Sequence, residues 1–210
     1  MSGVPLAGGR PAKPGRHAQV VAAAAKVFGR YGYKRSSMAL IAEAAGLSRP
    51  ALYQDFNGKE DVFRAMGAQL LEDVLRTAEA AARSAEGTAE RLYAVLAVRL
   101  EMALDPVDAE FRAELLTEAG VVAADLFAAF KERFAALVEE LLTAAAGELE
   151  LLGELLPARD CALLLLDAVS GISQERTDPE SARRRLRQLV ELTVRSLAGA
   201  RPAVAASRPS

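Results

Sequence analysis

The chain has 210 residues, 51% hydrophobic and 26% charged, with a formal net charge of −2, no Trp and one cysteine, Cys161. This is the composition of a globular protein with a real core; a lone cysteine excludes an intrachain disulfide, and no apolar run approaches the ~20 residues that span a bilayer. The charge is divided: residues 1–60 carry nine Lys/Arg against three Asp/Glu, net +6, and residues 61–210 carry seventeen against twenty-five, net −8. A basic end facing a polyanion and an acidic body are expected from that split, and the absence of an apolar stretch in MSGVPLAGGRPAKPGR points to a cytoplasmic location.

Residues 1–14, rich in Gly and Pro, read as a flexible basic arm. The run GGRPAKPGR, with Arg10, Lys13 and Arg16, suits an extension that tracks the minor groove or backbone of DNA, or else a plain disordered terminus. Val20, Ala24, Val27, Phe28 and Tyr31 then recur at a 3.6-residue period and predict a first helix, which Gly32 ends. Ser36 and Ser37 offer an N-cap to a second helix with Leu40, Ile41 and Ala44 on its apolar face, and Gly46 closes it where a positive φ is wanted. A short third helix carries Leu52 and Phe56. Its boundary is Ser48, whose hydroxyl can accept from the Ala51 N–H, or Arg49, which Pro50 biases away from the α region. Pro50 costs little in a first turn, where the N–H has no intrahelical partner.

A fourth helix follows, with Asn57 as the expected N-cap, Glu60 reaching back to it, and Phe63, Met66, Leu70, Leu71 and Val74 on one face. Thr88 is expected to cap a fifth, through Tyr93, Leu96 and Leu100, stopped by Asp105-Pro106. A short helix is predicted around Phe111–Leu116, and a long one from about Ala124. Beyond Pro157, CALLLLDAVSGI is apolar almost all round, which requires cover on both faces. Asp178-Pro179-Glu180 supplies an N-cap and a first-turn Pro for the last helix, striped by Leu186, Leu189, Val190, Val194 and Leu197. Residues 200–210 read as a disordered tail. Period-two alternation never lasts long enough for a strand, so the fold class is all-α with about nine helices.

Two short helices separated by AGLS make a helix-turn-helix, which lays its second helix in a major groove and reads bases with that helix's N-terminal residues. The run FGRYGYKRSSMALIAEAAGLSRPALYQDFNGKEDVF resembles the DNA-binding domain of TetR-family bacterial transcriptional regulators. That family's pattern is Phe-x-x-x-Gly-Tyr, paired Ser/Thr, Ile-Ala, Ala-Gly-Val-Ser, Leu-Tyr-x-His-Phe and a Lys-Glu step. The resemblance implies a three-helix DNA-binding domain over residues 15–60 and a helical ligand-binding and dimerisation domain over 61–199.

By position, the resemblance sets Arg49 and Ala51 at base edges, with Ser48 and Pro50 beside them at the helix start. An arginine fork can bond guanine O6 and N7 together, worth ~1–3 kcal/mol of discrimination; a solvated surface arginine is the plainer reading. Tyr53 falls where the family's tyrosine hydroxyl meets a phosphate, or is a core tyrosine. Ser37 can donate to phosphate or serve only as a cap. Lys59, in the first turn of the fourth helix, suits phosphate, and Gln54 can reach an adenine edge or the backbone. Asp55 stands where the family has histidine. It is expected to help cap the fourth helix or pair with a cation such as Lys59, and it is not counted as a DNA contact.

The resemblance further implies a homodimer through the helices at about 158–175 and 179–198, acting as a repressor on a palindromic operator. A small-molecule effector would sit among the middle helices, its hydrophobic character suggested by the apolar composition. Tyr93, Phe111, Phe127, Phe130 and Phe134 are candidate lining, although aromatics at helical spacing are more often plain core. The fourth helix would couple effector to DNA. His17 is the only histidine, and no P-loop, dinucleotide fingerprint or metal-ligand spacing occurs, so neither catalysis, a cofactor nor a metal is expected. The alternative reading is a helical ligand-binding or scaffolding protein that has lost DNA binding, with Asp55 as the symptom.

Overall fold

The computed structural model describes residues 15–104, 117–118, 120–174 and 178–199. The arm over 1–14, the short helix expected around Phe111–Leu116 and the tail over 200–210 lie outside the described residues. Helices follow one another as α1 (Arg16–Arg35), α2 (Met38–Ala44), α3 (Arg49–Asp55), α4 (Lys59–Ser84), α5 (Thr88–Leu104), α6 (Ala124–Ala144), α7 (Ala158–Gln174) and α8 (Pro179–Leu197). The only pairing of strand type among the described residues is an isolated bridge between Leu152 and Leu156. The fold is all-α, as the pattern of apolar residues required.

The chain divides into two compact units, one of residues 1–69 and 108–123, the other of 70–107 and 124–210. In the first, Val20, Ala24, Val27 and Phe28 of α1 are buried with Ile41 of α2, Leu52 of α3 and Val62 and Phe63 of α4. The Phe28, Tyr33 and Phe63 rings pack on one another with centroids 4.9–5.7 Å apart, in the tilted and edge-on geometries that the ring quadrupole favours.

Gly32 does break α1, with φ 75° and ψ 170°, but a last turn over 33–35 resumes beyond it. Only glycine reaches that φ without strain. Ser36 is buried there and its hydroxyl donates to the Gly32 carbonyl at 2.5 Å, which satisfies a carbonyl the break leaves open.

The caps of α2, α3 and α8 are those the sequence offers. Ser37 accepts from the Leu40 N–H at 3.3 Å, Ser48 from the Ala51 N–H at 3.3 Å, and Asp178 from the Ser181 N–H at 2.9 Å. Two other expectations need correction. At the start of α4 it is Asp61, not Glu60, that reaches back, accepting from the Asn57 N–H at 3.1 Å and from its side-chain amide at 3.2 Å. The cap has moved one residue on, to Gly58, whose carbonyl takes the first intrahelical bond from Val62. Thr88 does not cap α5 either. The Gly87 carbonyl accepts from Arg91, while the Thr88 hydroxyl donates to Glu148 at 2.6 Å.

The second unit buries Leu71, Leu75 and Ala78 of α4 with Leu92, Leu96 and Leu100 of α5, and its core continues through the buried faces of α6, α7 and α8. Bidentate and single ion pairs cross its surface: Arg133 with Glu72 at 2.6 Å, Arg183 with Glu101 at 2.5 Å, Arg187 with Glu90 at 2.7 Å. Each partner lowers its carboxylate's pKa where a shift is resolved, the hydrogen bond from Arg133 acting on Glu72 and that from Arg183 on Glu101. No helix among the described residues is long and apolar enough to cross a membrane.

Candidate nucleic-acid interface

α3 is seven residues long and opens at Ser48, whose extended backbone (φ −71°, ψ 152°) marks it as the N-cap. Arg49 and Pro50 therefore occupy the first two helical positions, which settles the boundary that the sequence left between Ser48 and Arg49. Pro50 sits where its missing N–H has no intrahelical acceptor, and its ring fixes the first turn.

Leu52 and the following Phe56 anchor the helix inward, each almost wholly buried. With those two fixed, helical geometry turns Arg49, Pro50, Tyr53 and Gln54 to the opposite side, and all four are exposed. Tyr53 is 48% exposed, which removes the core reading and leaves its hydroxyl available. Ala51 is half-buried at the edge of this face, and Arg49 carries its charge into solvent.

Ser37 and Ser48 are also exposed at the starts of α2 and α3. A serine hydroxyl that accepts one cap bond keeps its own proton to donate, so capping and phosphate contact are compatible in both. Lys59 is different. Its Nζ donates to the carbonyls of Tyr33 at 2.8 Å and Ser36 at 3.2 Å, and lies 4.2 Å from the Tyr33 ring centroid. Two of its three donors thus close the end of α1.

Asp55 takes the second of the roles expected for it, pairing with a cation, but its partner is not Lys59. Arg16, the first residue of α1, grips its carboxylate with Nε at 2.5 Å and Nη2 at 2.6 Å, while Nη1 lies 3.4 Å from Gln54 Oε1. The hydrogen bond from Arg16 is the chief reason the Asp55 carboxyl is held below the usual carboxylate range, with the charges of Arg16 and His17 adding to it against a desolvation penalty. The cation is Arg16, the first residue of α1, rather than Lys59.

Two neighbours complete the contact. The His17 ring lies 4.9 Å from that of Phe56, and Gln19 Nε2 donates to the Ala45 carbonyl at 2.7 Å, in the turn before α3. Nothing local in the sequence signals these pairings, because the partners are 26 to 39 residues apart.

Of the candidate effector residues, Phe130 and Phe134 are buried with ring centroids 5.6 Å apart and Phe127 is partly buried against the same core. Tyr93 lines a separate cleft of about 320 Å³ together with Arg183, Arg187 and Glu191, and the Arg187 guanidinium lies 3.9 Å from its ring centroid. Phe111 lies outside the described residues. Among the described residues no group of three or more His, Cys, Asp or Glu is arranged to hold a metal.

Residues 20–66, which hold most of α1, all of α2 and α3 and the start of α4, match the family model for bacterial regulatory proteins of the tetR family. The transcriptional activator FasR of Mycolicibacterium smegmatis is 32% identical over 89 residues, which are 42% of this chain and 41% of FasR. The chain thus matches about two-fifths or less of the length of its curated relatives.

In solved structures, the fatty acid degradation regulator FadR from Bacillus halodurans superposes with a TM-score of 0.63 at 20% identity, covering 90% of this chain and 98% of that one. FadR from Bacillus subtilis, determined in complex with stearoyl-CoA, gives a TM-score of 0.60 at 18% identity over 87% and 98%. These two likenesses speak to the fold. Over the matched N-terminal segment the chain is similar to bacterial regulatory proteins of the tetR family, and the helical fold around that segment is the one these solved structures share.

Proposed function

We propose that the chain is a DNA-binding transcriptional regulator, a cytoplasmic homodimer that represses from a palindromic operator and is released by a small hydrophobic effector. The observation that carries this reading is the outward face of α3. Arg49, Pro50, Tyr53 and Gln54 share it, at the end of a helix whose start is fixed by Ser48 and Pro50. In this reading Arg49 and Ala51 contact base edges, Ser37, Ser48 and Tyr53 contact phosphates, and Lys59 contributes through the N-terminus of α4 with its one uncommitted donor. The basic charge of residues 1–60 supplies the sequence-independent attraction. Neutralisation of Asp55 by Arg16 removes the main argument for the rival in which DNA binding is lost.

Dimerisation through α7 and α8 is supported by apolar side chains that the second unit's own core does not cover. Leu164 is 59% and Leu192 66% exposed, and a cleft of about 420 Å³ along these helices is lined by Ala168, Gly171, Ile172 and Leu189 with Arg185 and Gln188. One helix-turn-helix touches few base pairs, so a pair spaced by a helical turn is the economical way to specificity.

For the effector, Phe127, Phe130 and Phe134 offer an apolar wall. Arg99 lies 6.0 Å from the Phe130 ring centroid, and burial lowers its pKa. A cation in apolar surroundings suits a ligand with a long apolar body and an acidic head, and the stearoyl-CoA bound by B. subtilis FadR is of that kind.

The test is footprinting on duplex DNA flanking the chain's own coding region, backed by selection from genomic fragments, with and without long-chain acyl compounds. A protected near-palindrome that is lost on adding one of them is expected. Absence of protection in both experiments would leave the ligand-binding or scaffolding alternative.

A further inference from the structure

The contact between Arg16 and the end of α3 has the geometry of a device that sets what α3 reads. A carboxylate at the C-terminus of a helix is disfavoured by the helix dipole, and near phosphates it is repulsive as well. Here it is offset by a two-bond guanidinium grip, and the same guanidinium presents its remaining nitrogen to the oxygen of the Gln54 carboxamide, 3.4 Å away. Gln54 is exposed on the same face as Arg49 and Tyr53. Its oxygen faces a cation, which leaves the amide nitrogen as the end with hydrogen-bonding capacity to offer.

Reading adenine with both ends of a glutamine carboxamide requires the oxygen to accept from adenine N6 while the nitrogen donates to N7. A guanidinium beside that oxygen competes for it and repels the incoming N6 donor. A donor-only Gln54 instead suits an edge that offers acceptors, guanine O6 and N7 or thymine O4. We propose that Arg16 and Asp55 are positioning residues that hold Gln54 as a hydrogen-bond donor, so that α3 prefers guanine or thymine over adenine at the base pair Gln54 faces. The inference rests on the DNA-binding reading above and adds to it a specificity that Arg49 does not supply.

The experiment is selection of binding sites from a random-sequence duplex pool by the full chain and by Gln54→Ala, Asp55→Asn, Arg16→Met and the double variant Arg16→Met/Asp55→Asn. The position whose preference Gln54→Ala erases is the one Gln54 reads. Wild type is expected to prefer guanine or thymine there. Both single variants should move that preference toward adenine by roughly tenfold, and the double variant by no more than either.

The two single variants change the local charge in opposite senses. A purely electrostatic role would therefore raise affinity for all duplexes in one and lower it in the other, whereas positioning shifts base preference the same way in both. Adenine preferred by wild type at that position, unchanged preference in Asp55→Asn, or additive effects in the double variant would overturn the inference while the DNA-binding reading stood. Failure of wild type to enrich any sequence would overturn that reading, and the inference with it.

Discussion

In the proposed reading Arg49 is the residue on which sequence recognition turns, because it is exposed, sits in the first turn of α3 and carries the one side chain there with a fork of donors. Arg49→Ala is expected to cost ~1–3 kcal/mol against the selected site and to relax preference at one base pair, while binding to unselected duplex changes little. Fluorescence anisotropy on the selected site and its single-base variants measures both. Ser48 bears on the same chemistry from below. Loss of its hydroxyl leaves the Ala51 N–H without its cap, so Ser48→Ala is expected to destabilise by about 1 kcal/mol in urea titration.

At the scale of elements, what the sequence disclosed follows the distance over which the physics acts. The period of Val20, Ala24, Val27 and Phe28 sufficed to find α1, and the caps at Ser37, Ser48 and Asp178 were readable because each side chain bonds an N–H three residues on. Asn57 and Thr88 show the limit of that rule. Both are good cap types, but a glycine stands next to each, and a glycine carbonyl takes the first helical bond in both places. Thr88 was drawn off by Glu148, sixty residues away.

Asp55 was legible as a departure from the family pattern that could pair with a cation, but which cation was not, since Arg16 lies 39 residues earlier. Likewise the exposed face of α3 could be placed from helical spacing, whereas the engagement of Lys59 with the Tyr33 and Ser36 carbonyls depends on how α1 ends at Gly32.

For the whole molecule, two expectations follow. Asp55, Glu72, Glu101 and Asp178 all have pKa values lowered by hydrogen bonds made in the folded state. The unfolded chain therefore takes up protons first as pH falls, and the stability these groups contribute is full above their unfolded values near pH 4. It is lost as pH drops through the lower, folded values. Thermal midpoints should accordingly be flat from pH 7 to about 5 and fall below 4, with a shallower acid limb in Glu72→Gln/Glu101→Gln.

The second expectation concerns assembly. Leu192 is 66% exposed on α8, so Leu192→Lys leaves the unit's own core intact. Sedimentation velocity should show the wild type as a dimer and the variant displaced toward monomer, with unchanged helical circular dichroism.

The division of the chain carries a consequence for anyone who would cut it. The first unit is assembled from two stretches, residues 1–69 and 108–123, with α5 threaded out between them. Arg64 donates to the Val122 carbonyl, and Lys34 lies 3.6 Å from Glu118. A scissile site placed midway along α4 would sever these ties and release a fragment lacking part of its own wall. A self-sufficient recognition module would have to be spliced, with a short linker standing in for residues 70–107, rather than truncated.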